Sequence, residues 1–128
     1  MLDLKNNIEP AASLNPAARN ASANGTGVDL QGYESALAIV CCGAITDGTH
    51  TPSLEHSDAS GSGYAAVAAA DLVGAFTALT ANSIQTVGYK GSKRYVRVVM
   101  TVAGATTGAV NCASIARGNE RHKGSQAV

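Results

Sequence analysis

The sequence has no tryptophan and a single phenylalanine, Phe76, so its only other aromatic rings are four tyrosines. Apolar residues reach 45% of the chain, but alanine supplies much of that. Alanine buries little area, and at roughly 25 cal/mol per Å² the expected core is thin. A thin core is commonly relieved by association with a partner. Cysteine is also scarce. Three residues give an odd count, and Cys41 and Cys42 are adjacent, so on a strand they point to opposite faces and cannot chelate one metal together. They read as small buried thiols of a reducing compartment. No apolar run of 18 residues is present, which excludes a membrane-spanning helix. "MLDLKNNIEP" places acids and a proline where a signal peptide needs an apolar stretch, so synthesis in a cytosol is expected.

A surplus of either charge is missing too. Nine basic and nine acidic residues sum to zero, which argues against a nucleic-acid binder held by phosphate neutralisation. The distribution is uneven, however. Residues 1–80 hold eight acids and two bases, a net of −6, and residues 81–128 hold one acid and seven bases, a net of +6. Such polarity suits contact between copies or with an acidic surface, or neutralisation within one fold.

Among what is present, turn residues and short apolar runs dominate. "SALAIVCC" (35–42) is apolar on both faces, as in a central strand covered on each side. Asp47-Gly48 marks a turn, "SLEHS" and "YAAVAA" flank the turn cluster "DASGSG" as a hairpin, and "ADLVGAFTAL" is either a short helix or a loop tucking Leu72, Phe76 and Leu79 against a sheet. "SIQTVGY" and "RYVRVVMTV" read as strands joined by the turn "KGSK", and "AVNCASIAR" as the last strand. About seven short strands argue for an all-β fold, an antiparallel β-sandwich or jelly-roll-like barrel. The expected organisation is an extended N-terminal arm over 1–27, interrupted by Pro10 and Pro16, a β-sandwich domain over 28–117, and a polar tail over 118–128.

Catalytic patterns are weak throughout. His50 and His56 lie near Asp47, Glu55 and Asp58 without metal-cage spacing, and read as surface residues of a hairpin. No calcium loop, phosphate-binding fingerprint or nucleophile–base order is interpretable. Neither an enzyme nor a cofactor is expected. The strongest candidate is "VGYKGSKRYVRVVMTV" (87–102). Alternation puts Val96, Val98, Met100 and Val102 inside and Tyr95, Arg97, Val99 and Thr101 outside. Lys90, Lys93, Arg94 and Arg97 then cluster at one end, as a docking site for a partner's carboxylates, as a polyanion groove with Tyr89 and Tyr95 as stacking platforms, or as a solvated hairpin turn that guards an edge.

"GTGVDLQGYESALAIV", "ITDGTHTPSLEHSD", "AAADLVGAFTALTAN" and "VGYKGSKRYVRVVMTV" together resemble a group of small proteins of tailed bacteriophages that decorate or cement the capsid. The likeness runs from about Gly25 to Arg117. It implies a virion structural protein on the capsid exterior, made in the bacterial host cytoplasm, that bridges major capsid protein subunits. It also implies contact with neighbouring copies of itself as a dimer or trimer, and no direct nucleic acid or membrane binding. The candidate contacts are the basic cluster and the arm residues Leu2, Leu4, Ile8 and Leu14. Deleting residues 1–24 is then expected to leave the domain folded. A head–tail connector or tail component, or a carbohydrate-binding β-sandwich for host attachment, are the competing readings.

Overall fold

The computed structural model describes residues 3–120, with side chains to 118. Its strands are β1 (Ile8–Arg19), β2 (Ala23–Asn24), β3 (Val28–Asp29), β4 (Tyr33–Ile45), β5 (Thr49–Ser57), β6 (Ala65–Ala66), β7 (Leu72–Val73), β8 (Ser83–Tyr89), β9 (Tyr95–Ala103) and β10 (Ala109–Glu120). Among the described residues the only helical element is a 3-10 turn, Ala69–Asp71. One sheet has the order β1-β10-β4-β8-β7, the other β2-β9-β5-β6 with β3 also on β9, and every pairing is antiparallel. The two sheets pack face to face as an all-β sandwich.

Alternating burial builds the core. β9 turns Val96, Val98 and Met100 inward, each 0% exposed, as its period of two requires. They meet Val40 of β4, Val87 of β8 and Ile115 of β10 from the opposite sheet. Alanines fill the remaining inward positions, Ala36 and Ala38 on β4 and Ala113 on β10. β5 accommodates the buried Pro52 without losing a ladder bond. The carbonyls of His50 and Leu54 accept N–H groups from Leu79 and Val67, so residues 50, 52 and 54 turn their backbone polar groups away from β9.

The N-terminal segment differs from the expected arm. Residues 8–19 are an edge strand of the domain, paired with β10 from Ile8↔Gly118 to Arg19↔Ala109. Pro10 and Pro16 are tolerated because an edge strand has one unpaired side, and the register shifts between Ala12 and Leu14 and between Leu14 and Ala17. At those shifts Ser13 and Leu14 both become buried. β10 likewise extends the expected domain end to Glu120, and residues 121–128 of the expected tail lie outside the described residues.

The connections carry a second correction. β8 pairs with β4 and β7, whereas β9 pairs with β5, β2 and β3, so "KGSK" belongs to a crossover between sheets and not to a hairpin turn. Both strands have an apolar inward row, and these rows face each other across the core, which a flat hairpin cannot achieve. The Asp47-Gly48 turn and residues 104–108 cross between sheets in the same way. The β5–β6 hairpin forms as read, and the segment after Ala69 follows the loop reading, with Leu79 buried and Leu72 and Phe76 packed on the core.

Candidate functional site

The basic cluster lies at one end of the sandwich, and most of its charge is matched within the chain. Lys93 Nζ meets Asp58 Oδ2 at 2.9 Å, and Arg94 forks onto Asp29 with Nε and Nη2 each at 2.9 Å. Arg97 directs Nε and Nη2 at Glu55 Oε1, at 3.0 and 2.6 Å, and its guanidinium lies 4.0 Å from the centre of the Tyr64 ring. Arg94 and its hydrogen bonds hold the Asp29 carboxyl below its ordinary value, and the same pairing raises the Arg94 pKa. Asp58 likewise raises Lys93. Lys90 is exposed and makes no ion pair among the described residues. Three of the seven bases of residues 81–128 are thus paired with acids of residues 1–80 inside one fold.

Beside this cluster is a polar cleft of about 300 Å³, lined by residues that include Tyr33, Asp58, Tyr89, Lys93 and Arg94. All four tyrosines have partners. Tyr64 and Tyr95 lie against Arg97 and Arg94, Tyr33 lies 5.2 Å from Arg117, and the buried Tyr89 hydroxyl contacts His56 Nδ1 at 2.9 Å and accepts the Lys93 N–H. An aromatic sugar platform would have to be assembled from rings already stacked on guanidinium groups.

The histidines sit deeper than expected. His50 is 1% exposed, its Nε2–H donating to the Asp47 carbonyl at 3.0 Å, and its Nδ1 is buried without a partner. His56 faces inward on the same strand. The reason is register, since β5 places its even-numbered residues opposite the inward row of β9. The Asp47 side chain closes the opposite end of the sandwich by accepting the N–H groups of Thr106, Thr107 and Gly108, which lower its pKa. Among the described residues no three His, Cys, Asp or Glu side chains come together as a metal cage.

The arm residues separate. Leu14 is 4% exposed in the core, because the irregularity in β1 turns it inward, and so is not available to a partner. Leu4 is 68% exposed, Ile8 is half-buried, and Leu2 lies outside the described residues.

The largest apolar surface is one the sequence reading placed under cover. Among the described residues nothing covers the outward side of the β1-β10-β4-β8-β7 sheet. Strand pairing arranges it in rows: Pro10, Ala116, Leu37, Gly88 and Val73; then Ala12, Ser114, Ile39 and Thr86; then Cys112, Cys41 and Ile84. Val110 continues the face next to Gly43. None of these side chains carries a charge, and Ile84, Val73 and Val110 are 68%, 61% and 47% exposed. β4 inverts the usual preference, with Ala36 and Ala38 inside and the larger Leu37 and Ile39 outside. The two-sided apolarity of "SALAIVCC" was the signal, but only one of its faces is covered. Cys41 and Cys112 consequently lie half-exposed on this surface, and only Cys42 is a core thiol. The outward side of the other sheet is more polar, with Thr51, Ser53, Glu55, Arg97 and Thr101 around Val99.

Comparison with known proteins returns no match for this chain among protein-family models, curated proteins or solved structures.

Proposed function

We propose that this chain is a non-enzymatic structural protein that acts through protein–protein contact, and specifically that it decorates and stabilises a tailed-bacteriophage capsid by bridging major capsid protein subunits. The observation that carries the reading is the partition of the surface. One sheet face presents contiguous rows of uncharged, mostly apolar side chains, while Lys93, Arg94 and Arg97 of the basic end are spent on Asp58, Asp29 and Glu55. Contiguous apolar patches of this kind mark interaction sites on otherwise soluble domains. The sequence likeness to capsid-decorating proteins supplies the particular assembly, and an all-β sandwich with an exposed apolar sheet face suits a protein that works by contact.

The test is to produce particles carrying the chain and measure its stoichiometry. Co-sedimentation in copies comparable to the capsid subunit is expected. A handful of copies per particle would instead identify a head–tail connector or tail component, and absence from the particle would end the virion reading.

A further inference from the structure

We infer that the open face of the β1-β10-β4-β8-β7 sheet is a self-association surface, on which a second copy of the chain packs face to face about a twofold axis. This goes beyond the capsid reading and does not rest on it. It concerns the isolated protein in solution.

Three observations favour a second copy as the occupant. The first is charge. The three rows from Pro10–Val73 to Cys112–Ile84 hold no acid or base, so they can be laid on a second copy without placing like charges opposite one another, whereas a strongly acidic or basic partner would find nothing in them to pair with. The residues outside the described part, "ML" and "RHKGSQAV", do not offer a matching cover, since the longer piece is polar and basic. The second is area. Four long strands about 4.8 Å apart, each contributing roughly nine residues at about 3.3 Å, give roughly 600 Å² per copy. Two copies bury about 1,200 Å², the lower bound of stable specific interfaces.

The third is relief and strand polarity. Leu37, Ile39, Ile84 and Val110 rise beside Gly43 and Gly88, which supplies ridges and hollows for a second, identical sheet at the spacing of a sandwich core. A strand that keeps Ala36 and Ala38 inside and sends Leu37 and Ile39 outward has the composition of a strand covered on both sides. In the dimer that is what β4 becomes, and the thin single core gains a second apolar layer.

Sedimentation velocity of the full chain from low to high micromolar concentration tests the inference. Wild type is expected to sediment as a dimer. Ile84→Lys and, separately, Val110→Lys are expected to weaken dimerisation at least about a hundredfold, because each buries an unpaired ammonium at the interface. Both positions are solvent-exposed in the single chain, so circular dichroism of each variant should match wild type. Thr101→Lys, on the polar sheet face, should leave the dimer intact. Cys41 and Cys112 give an independent readout in wild type itself, since maleimide labelling of both should be at least about tenfold faster at concentrations where the chain is monomeric than where it is dimeric. A wild-type chain that is monomeric throughout, a trimer, or a dimer untouched by both lysine variants would overturn the proposal.

Discussion

Ser13 Oγ accepts the Val98 N–H at 2.9 Å and donates to the Thr26 carbonyl at 3.0 Å, tying β1 of one sheet to β9 of the other. Val98 is 0% exposed and Ser13 4%, so these groups have little access to water. Ser13→Ala would leave a buried donor and acceptor unmatched, at a cost of about 1–3 kcal/mol. Urea denaturation should show the loss as a lower midpoint with an unchanged slope. Ser53→Ala, on an exposed position of the opposite sheet, should change stability by less than about 0.5 kcal/mol.

Removal of residues 1–24 should abolish cooperative folding. The deletion takes away β1, and with it Ser13, Leu14 and the partner of β10 along its whole length. Loss of Leu14 alone is worth about 2–4 kcal/mol by the usual cost of emptying a leucine site, a large share of a small domain's stability. Thermal circular dichroism without a sigmoidal transition is the expected result, and a truncated chain that melts like wild type would contradict the placement of β1.

Much of this fold was legible from period-two alternation. Val96, Val98 and Met100 fall inside because an antiparallel strand leaves them no other face, and the Asp-Gly and "DASGSG" turns fall where glycine and small polar residues permit them. One source of error is that alternation says which residues share a face but not which sheet a strand joins. "KGSK" looks like a hairpin turn locally and becomes a crossover only through the pairings of β8 and β9. β1 was hidden by Pro10 and Pro16, whose missing N–H groups are harmless only at a sheet edge. The ion pairs Arg94–Asp29 and Arg97–Glu55 span 65 and 42 residues, so most of a basic run in sequence is neutralised by acids distant in the chain.

Arg97→Ala should destabilise the protein by about 1–2 kcal/mol, since it removes the packing on Tyr64 and leaves Glu55 without its fork. Arg97→Lys should recover only part of this, because a single ammonium cannot donate from two fixed nitrogens while stacking on the ring. Denaturation midpoints of the two variants against wild type provide the comparison.

Stability should fall in acid below about pH 5. Asp29 and Asp47 both have carboxyls held below the ordinary 3.8, the first mainly by Arg94 and the second mainly by the Gly108 N–H. Such groups give their full stabilisation above the unfolded-state value and lose it as pH falls through the lower folded-state value. The melting temperature should therefore be flat from neutrality down to about pH 5 and drop below that. Asp47→Asn should lower the neutral-pH melting temperature and make the acid drop shallower, while a slope identical to wild type would show that the 106–108 loop does not depend on this charge.

Cys42 should resist alkylation until the chain unfolds globally. Its thiol is buried, and desolvation raises its pKa. Mass spectrometry of the native protein treated with a maleimide should find any modification at Cys41 and Cys112 alone, with Cys42 reacting only in denaturant.

The chain changes sheets at six of its nine connections, and its first long strand is paired with its last. Ile8 waits for Gly118, and β10 separates β1 from β4. On a ribosome, the sheet that carries the open face cannot close until residues near 120 have left the exit tunnel, and every earlier length of nascent chain exposes unpaired strands. The molecule is therefore completed in a single late step, and interrupted synthesis should yield products for proteolysis instead of partly working domains.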